Sequence, residues 1–439
     1  MWRSAVEATR PPGSLFKNRA FALFWASQSV SFLGTQISYV ALPLTAVVVL
    51  DATPMEAGLL GALESLPFLL FGLFVGVLVD RRARRPLLIG ANLIRFAALA
   101  WIPVAYLLDI LTIAQLLLVT FLVGVMTVFF EIAYMSYLPG LVGKDRLMEA
   151  NGRLQASAST AEVAGPGIAG GLIGVLSAPL VIAVDAVSYL VSALTLLRLP
   201  ADEAPRPEAG ADAEGKQSVW ASLREGFSLV GRNPLLRWCT IAVFFLSLFF
   251  SSVMAVYFLY LIDEAGLSST AVGLIVAVGS VGGLVGALLS DRLITWLGVG
   301  PTLVSAVALP GFGFLLLATV DGNSLGAAVL AGVATFIGFF GIPVWDVTVI
   351  SFRQTITPEH LQGRVNATVR SLSWGTLAVG SLMGGALATG LGLRETVVIS
   401  AIGLFVPSLI VLLSPVRRMR RLEMPEETPT DDPSPVGSH

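Results

Sequence analysis

Charge is scarce in this chain: Asp, Glu, Lys and Arg make up 13% of its 439 residues, about half the share in soluble domains. Histidine is scarcer. His360 and His439 lie in a loop and at the last position, which excludes a buried histidine metal cage or a catalytic triad. A single cysteine, Cys239, excludes an internal disulfide. No G-x-x-x-x-G-K-[ST] loop occurs, and no polar stretch is long enough for an ATPase domain, so a primary pump is excluded. A net charge of −2 gives no general attraction for nucleic acid. No metal, cofactor or catalytic constellation is expected, and hence no enzyme.

What is abundant is apolar. Hydrophobic residues reach 55% and the mean hydropathy is +0.82, the composition of an all-α polytopic membrane protein. At about 20 residues per crossing, twelve spans are expected: Phe21–Val49, Ala57–Val79, Pro86–Leu108, Thr112–Tyr137, Leu154–Leu176, Pro179–Leu199, Trp238–Ile262, Thr270–Ser290, Val299–Val320, Ser324–Ile350, Ala367–Gly390 and Thr396–Leu413. The first run is too long for a signal-peptide core, so it is an anchor. An even count puts both termini on one side. That side collects 25 of the 27 Lys and Arg, while Arg394 falls on the other and Arg95 inside span 3. The basic bias predicts cytoplasmic termini in a cell membrane.

The chain divides into a cytoplasmic segment (1–20), a six-helix half (21–199), a linker (200–237), a second six-helix half (238–416) and a tail (417–439). Pro, Ala, Glu, Asp and Gly make the first part of the linker flexible. Val219, Trp220, Leu223, Phe227 and Val230 then share one face of an amphipathic surface helix. The tail's Pro, Glu, Asp and Thr predict disorder.

Shifting the sequence on itself by 215 residues lays span 4 on span 10 and span 5 on span 11 without a gap. Thr120 meets Thr335, Glu131 meets Asp346, Asn151 meets Asn366, Gly165 meets Gly380 and Gly170 meets Gly385. Duplicated six-helix halves with a site between them suit an alternating-access carrier.

The loop after span 2 reads Gly76-Val77-Leu78-Val79-Asp80-Arg81-Arg82-Ala83-Arg84-Arg85, and its copy after span 8 ends Ser290-Asp291-Arg292. Here the chain resembles the major facilitator superfamily, whose signature in both loops is G-x-L-x-D-R-x-G-R-R. Ala83 replaces the usual Gly, and the second copy is truncated. The segments Val128–Tyr134, Ser136–Pro139 and Asp185–Tyr189 resemble the bacterial branch that includes the enterobactin exporter and macrolide efflux proteins. The resemblance, covering about Phe16 to Arg421, implies two pseudo-symmetric halves, a monomer, and export. It also implies that spans 1, 4, 7 and 10 line the cavity, with some of their aromatics forming an apolar pocket.

Each charge inside a membrane needs a partner, water or a function. Asp80, Arg84 and Glu131 are expected to form an inner latch, an arginine between two carboxylates, as the resemblance implies. Asp291, Arg292 and Asp346 would be its second copy. Gly165, Pro166, Gly167 and Gly170 match the superfamily's antiporter motif G-P-x-x-G-G, with Ala169 in place of its first closing Gly. The proline removes a backbone donor and the small residues permit close packing, so span 5 should bend and pack where the halves meet. Glu64, Glu162 and Asp185 are the candidates for proton coupling. Arg95, with Asn92 one turn earlier, is expected to be a charge partner for an acid on a neighbouring helix. The resulting expectation is a secondary transporter exporting an amphipathic small molecule in exchange for protons, surrounded by lipid. The alternatives are an importer or symporter of the same fold and, outside transport, a sensor or intramembrane enzyme.

Overall fold

The computed structural model describes residues 15–80, 82–199, 228, 230–357 and 359–419. Most of the expected N-terminal segment, Arg81, the linker to residue 227 with most of its amphipathic helix, the tail from 420, and the side chains of Asp80 and Asn366 lie outside that description. The end of the expected surface helix is inside it: Val230 is buried against Leu236, Val365 and Val369.

Among the described residues every regular element is helical and no strand occurs. In chain order they form α1 (Arg19–Leu44), α2 (Pro54–Asp80), α3 (Arg84–Leu107), α4 (Ile113–Val142), α5 (Leu147–Val175) and α6 (Ala178–Leu196). The second half holds α7 (Pro234–Leu259), α8 (Ser269–Leu297), α9 (Val299–Leu317), α10 (Leu325–Ile356), α11 (Glu359–Leu391), and a last crossing broken at Leu404 into α12 (Leu393–Gly403) and α13 (Phe405–Leu413). Among the described residues, eleven stretches are long and apolar enough to cross a membrane. The twelfth crossing is α5, which has the length, 29 residues, but carries Glu149, Arg153 and Glu162.

The 215-residue repeat extends over the whole bundle. Asn18 caps α1 by accepting from the amides of Ala20 and Phe21 at 3.0 and 3.3 Å. Asn233, its repeat mate, caps α7 through Leu235 and Leu236 at the same two distances. Both helices end in a wide π turn, Thr45–Val49 and Tyr260–Glu264, again in register. The starts of α2 and α8 (Pro54, Ser269), and of α3 and α9 (Arg84, Val299), keep the same offset.

Two contacts between the halves use this symmetry. A Cβ on Gly170 of α5 would lie 2.8 Å from the Cα of Gly273 on α8, and one on Gly58 of α2 would lie 2.8 Å from the Cα of Gly385 on α11. These are the same contact made twice, because Gly58 and Gly273 are repeat mates and so are Gly170 and Gly385. Glycine lets the backbones touch where any side chain would hold them apart. Both contacts lie toward the end of the bundle bearing Asp51, Asp109, Asp263 and Asp321, the acidic face; the opposite end, with Arg84, Arg146 and Arg237, is the basic face.

Helix α4 runs further than its hydropathy predicts. Thr112 and Gln115 form a capping box, and Gly143, at φ 79°, ends the helix five residues beyond the expected limit at Tyr137. Near the start of α5, Glu149 accepts from Arg146 and Arg153 at 2.9 and 2.8 Å.

Candidate central cavity

A cavity of about 1300 Å³ lies between the halves. It runs from Ala46 and Val47 in the π turn after α1, under the glycine contacts, to Leu138, Leu147 and Asn151 at the basic-face ends of α4 and α5. The acidic face is sealed where Gly58 meets Gly385 and Gly170 meets Gly273. The wall comes from all six helices of the first half, but only from α7 and α11 of the second.

The first half supplies the polar wall. Arg95 on α3 is 4% exposed, and its guanidinium lies between the rings of Phe130 (4.4 Å) and Tyr189 (4.2 Å). It donates to Asn92 Oδ1. Asn92 donates to Ser192 at 2.9 Å, and so does Gln28 from α1 at 3.2 Å. The Tyr189 hydroxyl meets Thr35 at 3.0 Å. Asp185, 2% exposed, accepts from Ser188 at 3.2 Å and lies within electrostatic reach of Arg95. Gly34 admits Asp185 against α1: a Cβ there would sit 2.6 Å from the carboxylate oxygen. The expected role of Arg95 as a charge partner thus takes a particular form: two rings and an amide enclose it, with Asp185 and Glu131 as the nearby acids.

Of the three coupling candidates, Glu64 and Asp185 line the cavity, and Glu162 does not. Glu64 is accessible from within it, whereas Asp185 is packed.

In this state Glu131 is not paired with Arg84. Glu131 accepts instead from Arg370 of α11, at 3.4 Å. Because α4 continues to Val142, Glu131 stands eleven residues from its basic-face end, about 16 Å at the helical rise. That depth is too great for an arginine at the first residue of α3. Arg370 stands eleven residues into α11 and meets Glu131 at matched depth. In the second half, Asp291 and Arg292 are exposed near the end of α8, while the basic neighbour of Asp346 is Arg353 of its own helix. Among the described side chains neither Arg84 with Glu131 nor Arg292 with Asp346 forms an ion pair in this state, which is open at the basic face; the Asp80 side chain lies outside the description.

The motif of α5 divides its work between two neighbours. Gly165 abuts Gln36 of α1, whereas Gly167 and Gly170 face Ala277 and Gly273 of α8. Pro166 is accommodated within one continuous helix. The repeat reproduces the inner contact, since Gly380 abuts Ser251 of α7, the repeat mate of Gln36.

The aromatics divide, and the expected contribution of span 10 to the wall is corrected. Phe32, Tyr39 and Phe250 face the cavity, but Tyr257 and Trp345 are enclosed in the core, and α10 contributes nothing to the wall. Glycines explain why: Gly282 and Gly286 of α8 let the backbone of α10 approach at Phe336 and Phe340, and Gly341 of α10 abuts α9. Sequence reasoning missed Arg370 and Trp374. Trp374, one turn beyond Arg370, stacks on Phe68 of α2 with centroids 4.1 Å apart. The available signal was a basic residue inside the expected span that begins at Ala367.

The family model of the Major Facilitator Superfamily matches residues 24–376. The chain belongs to that superfamily. The multidrug efflux pump Tap of Mycolicibacterium fortuitum is 26% identical over 398 residues, covering 89% of this chain and 94% of the pump. The enterobactin exporter EntS of Escherichia coli O81 (strain ED1a) is 27% identical over 450 residues, covering 95% of this chain and 97% of the exporter. The crystal structure of the nucleoside transporter NupG superposes with a TM-score of 0.73 at 12% identity, covering 90% of this chain and 98% of that one. As a member of the superfamily, the protein is a multi-pass membrane transporter with efflux pumps among its relatives.

Proposed function

We propose that the protein exports an amphipathic small molecule, a drug, siderophore or other natural product, across the plasma membrane by alternating access in exchange for protons. The observation that carries this reading is the cavity, sealed at the acidic face and reaching the basic face. The positive-inside rule sets the basic face and both termini in the cytoplasm. Cargo then enters from the cytoplasm, between aromatic rings and a few polar groups, the usual composition of a small-molecule site. The names of Tap and EntS favour export. One chain supplies both walls, so a monomer is sufficient.

Glu64 is the first choice for the coupling acid, because it lines the cavity and is accessible within it. Asp185 is held by packing and serves as a structural acid. Asp80 and Arg84, with Asp291 and Arg292, act as loop contacts made when the basic face closes. The importer reading has NupG, a nucleoside transporter of the same fold, in its favour, together with Gln28 and Gln36 in the wall.

The test is flux in proteoliposomes with and without an imposed proton gradient. Export predicts uphill movement out of the compartment facing the basic side, abolished when the gradient is dissipated. Gradient-independent flux, or uphill uptake, overturns the proposal. Glu64→Gln and Glu162→Gln should be compared for uphill flux and downhill exchange; a coupling acid loses the first and keeps the second.

A further inference from the structure

The Glu131–Arg370 pair is built unlike the other polar contacts of the cavity. Arg95 is enclosed by two rings and an amide, so its charge is committed within the first half. Glu131 and Arg370 are 40% and 54% exposed, and one N–O contact of 3.4 Å joins them. Charge-assisted pairs normally close to about 2.7–2.9 Å, as the Glu149 contacts do. The Glu131–Arg370 pair is therefore loose and open to exchange. Among the described residues it is the ion pair that joins the two halves.

The surroundings favour a cation. The cavity wall holds three acids, Glu64, Glu131 and Asp185, against one base, Arg95. Arg370 approaches from outside the wall. Glu131 is flanked by Phe130 and, one turn on, by Tyr134; Arg370 is one turn from Trp374 and its stack with Phe68. Aromatic rings beside a carboxylate suit an organic cation, which gains from both; Phe130 already carries Arg95, which leaves Tyr134 and the Phe68–Trp374 stack. The repeat adds a further point. The mates of this pair are Asp346 and Gln155, so the second half does not rebuild it as an ion pair. The pair is a feature of one place, not a by-product of the duplicated frame.

We propose that Glu131 accepts the positively charged group of an amphipathic cargo, and that Arg370, reaching in from the other half, is the internal cation which the cargo displaces. This rests on the exporter reading and names its substrate class: an organic cation with apolar rings. Displacement releases a tie between α4 and α11, so loading the cavity frees the halves to move. Arg370 thereby lowers affinity while the cavity is open and makes release of the tie depend on cargo.

The test uses two probes of matched shape and opposite charge, tetraphenylphosphonium and tetraphenylborate. Binding is measured by equilibrium dialysis on the full chain in nanodiscs, with empty nanodiscs as the blank. The wild type should prefer the phosphonium. Arg370→Gln should tighten phosphonium binding roughly two- to fivefold, the worth of a half-exposed ion pair. Arg370→Lys, which keeps the charge without the planar fork, should fall between the two. Glu131→Gln should remove the preference, and in that background Arg370→Gln should tighten nothing. The proposal is overturned if borate binds as well as phosphonium, or if neither Arg370 variant strengthens phosphonium binding. The exporter reading is judged separately, on uphill efflux of a neutral amphipath by the wild type. Efflux without the Arg370 effect sinks this inference alone, and the Arg370 effect without efflux sinks the exporter reading alone.

Discussion

The two halves share a backbone and differ in chemistry. Gln28, Asn92, Arg95, Tyr189 and Ser192 form the polar network of the first half. Their repeat mates are Val243, Val307, Pro310, Leu404 and Pro407, with no hydrogen-bonding side chain among them. Glu64 becomes Gly279, and Asp185 becomes Ser400, whose hydroxyl meets Ser252 at 2.8 Å. Even the packing is exchanged: Gly34 accommodates Ser188 and Asp185 in the first half, whereas Gly403 accommodates Phe249 in the second. Caps, π turns and glycine contacts are kept because they make the frame and its moving surfaces. The cavity's ionisable side chains are confined to one half, leaving the other free to be an apolar counter-wall.

The largest expected break in this comparison is Arg95→Ala. It leaves Asp185 buried beside an empty site and strips the donor from Asn92. The folded protein should lose about 3 kcal/mol, read as a large fall in melting temperature of the purified protein. Pro310→Ala, at the mate position, should shift it far less. Equal shifts would deny that the network is special to the first half.

Mechanical equivalence is probed next. Gly273→Val and Gly58→Val each force a side chain into a backbone contact, at a cost of about 2 kcal/mol to the state sealed at the acidic face. Both should lower transport to a similar extent and increase labelling of a cysteine introduced at that face. A large effect from one and none from the other would make the two contacts unequal despite their symmetry.

A smaller effect is expected from Glu64→Gln on stability, under about 1 kcal/mol, with uphill transport lost and downhill exchange kept. Gly279→Ala, at its mate, should alter packing against Thr335 and Phe339 without separating the two kinds of flux. The smallest is Arg84→Ala. A surface charge is worth about 0–1 kcal/mol, so transport should fall by no more than a few-fold at unchanged expression, and Arg292→Ala should do the same or less. Abolished transport in Arg84→Ala would restore a central role to that loop.

Much of the fold was legible in the sequence. Apolar runs placed the crossings, and the 215-residue offset found on spans 4 and 5 proved to hold for the caps of α1 and α7 as well. The loop after span 2 carried the family. Glu64, Asp185 and Arg95 were recognisable because charge within an apolar run demands an explanation, and all three face the cavity. Hydropathy marks where the membrane interior ends, however, and not where a helix stops. Helix α4 outruns its apolar stretch to Gly143, and α11 begins at Glu359, well before the expected Ala367. The depths of Glu131 and Arg370 were hidden by that difference.

The sequence by itself determined the twelve expected crossings, their duplication and which residues carry charge, because each is a property of local composition or of one stretch compared with another. Only the tertiary structure decided that Glu131 meets Arg370, that α10 leaves the wall to α11, and that glycines seal one face while the other stays open. Those outcomes depend on helix depth and on how closely two backbones approach. Both are set by contacts between segments far apart in the chain, 239 positions for Glu131 and Arg370 and more for Gly58 and Gly385, which no local pattern records.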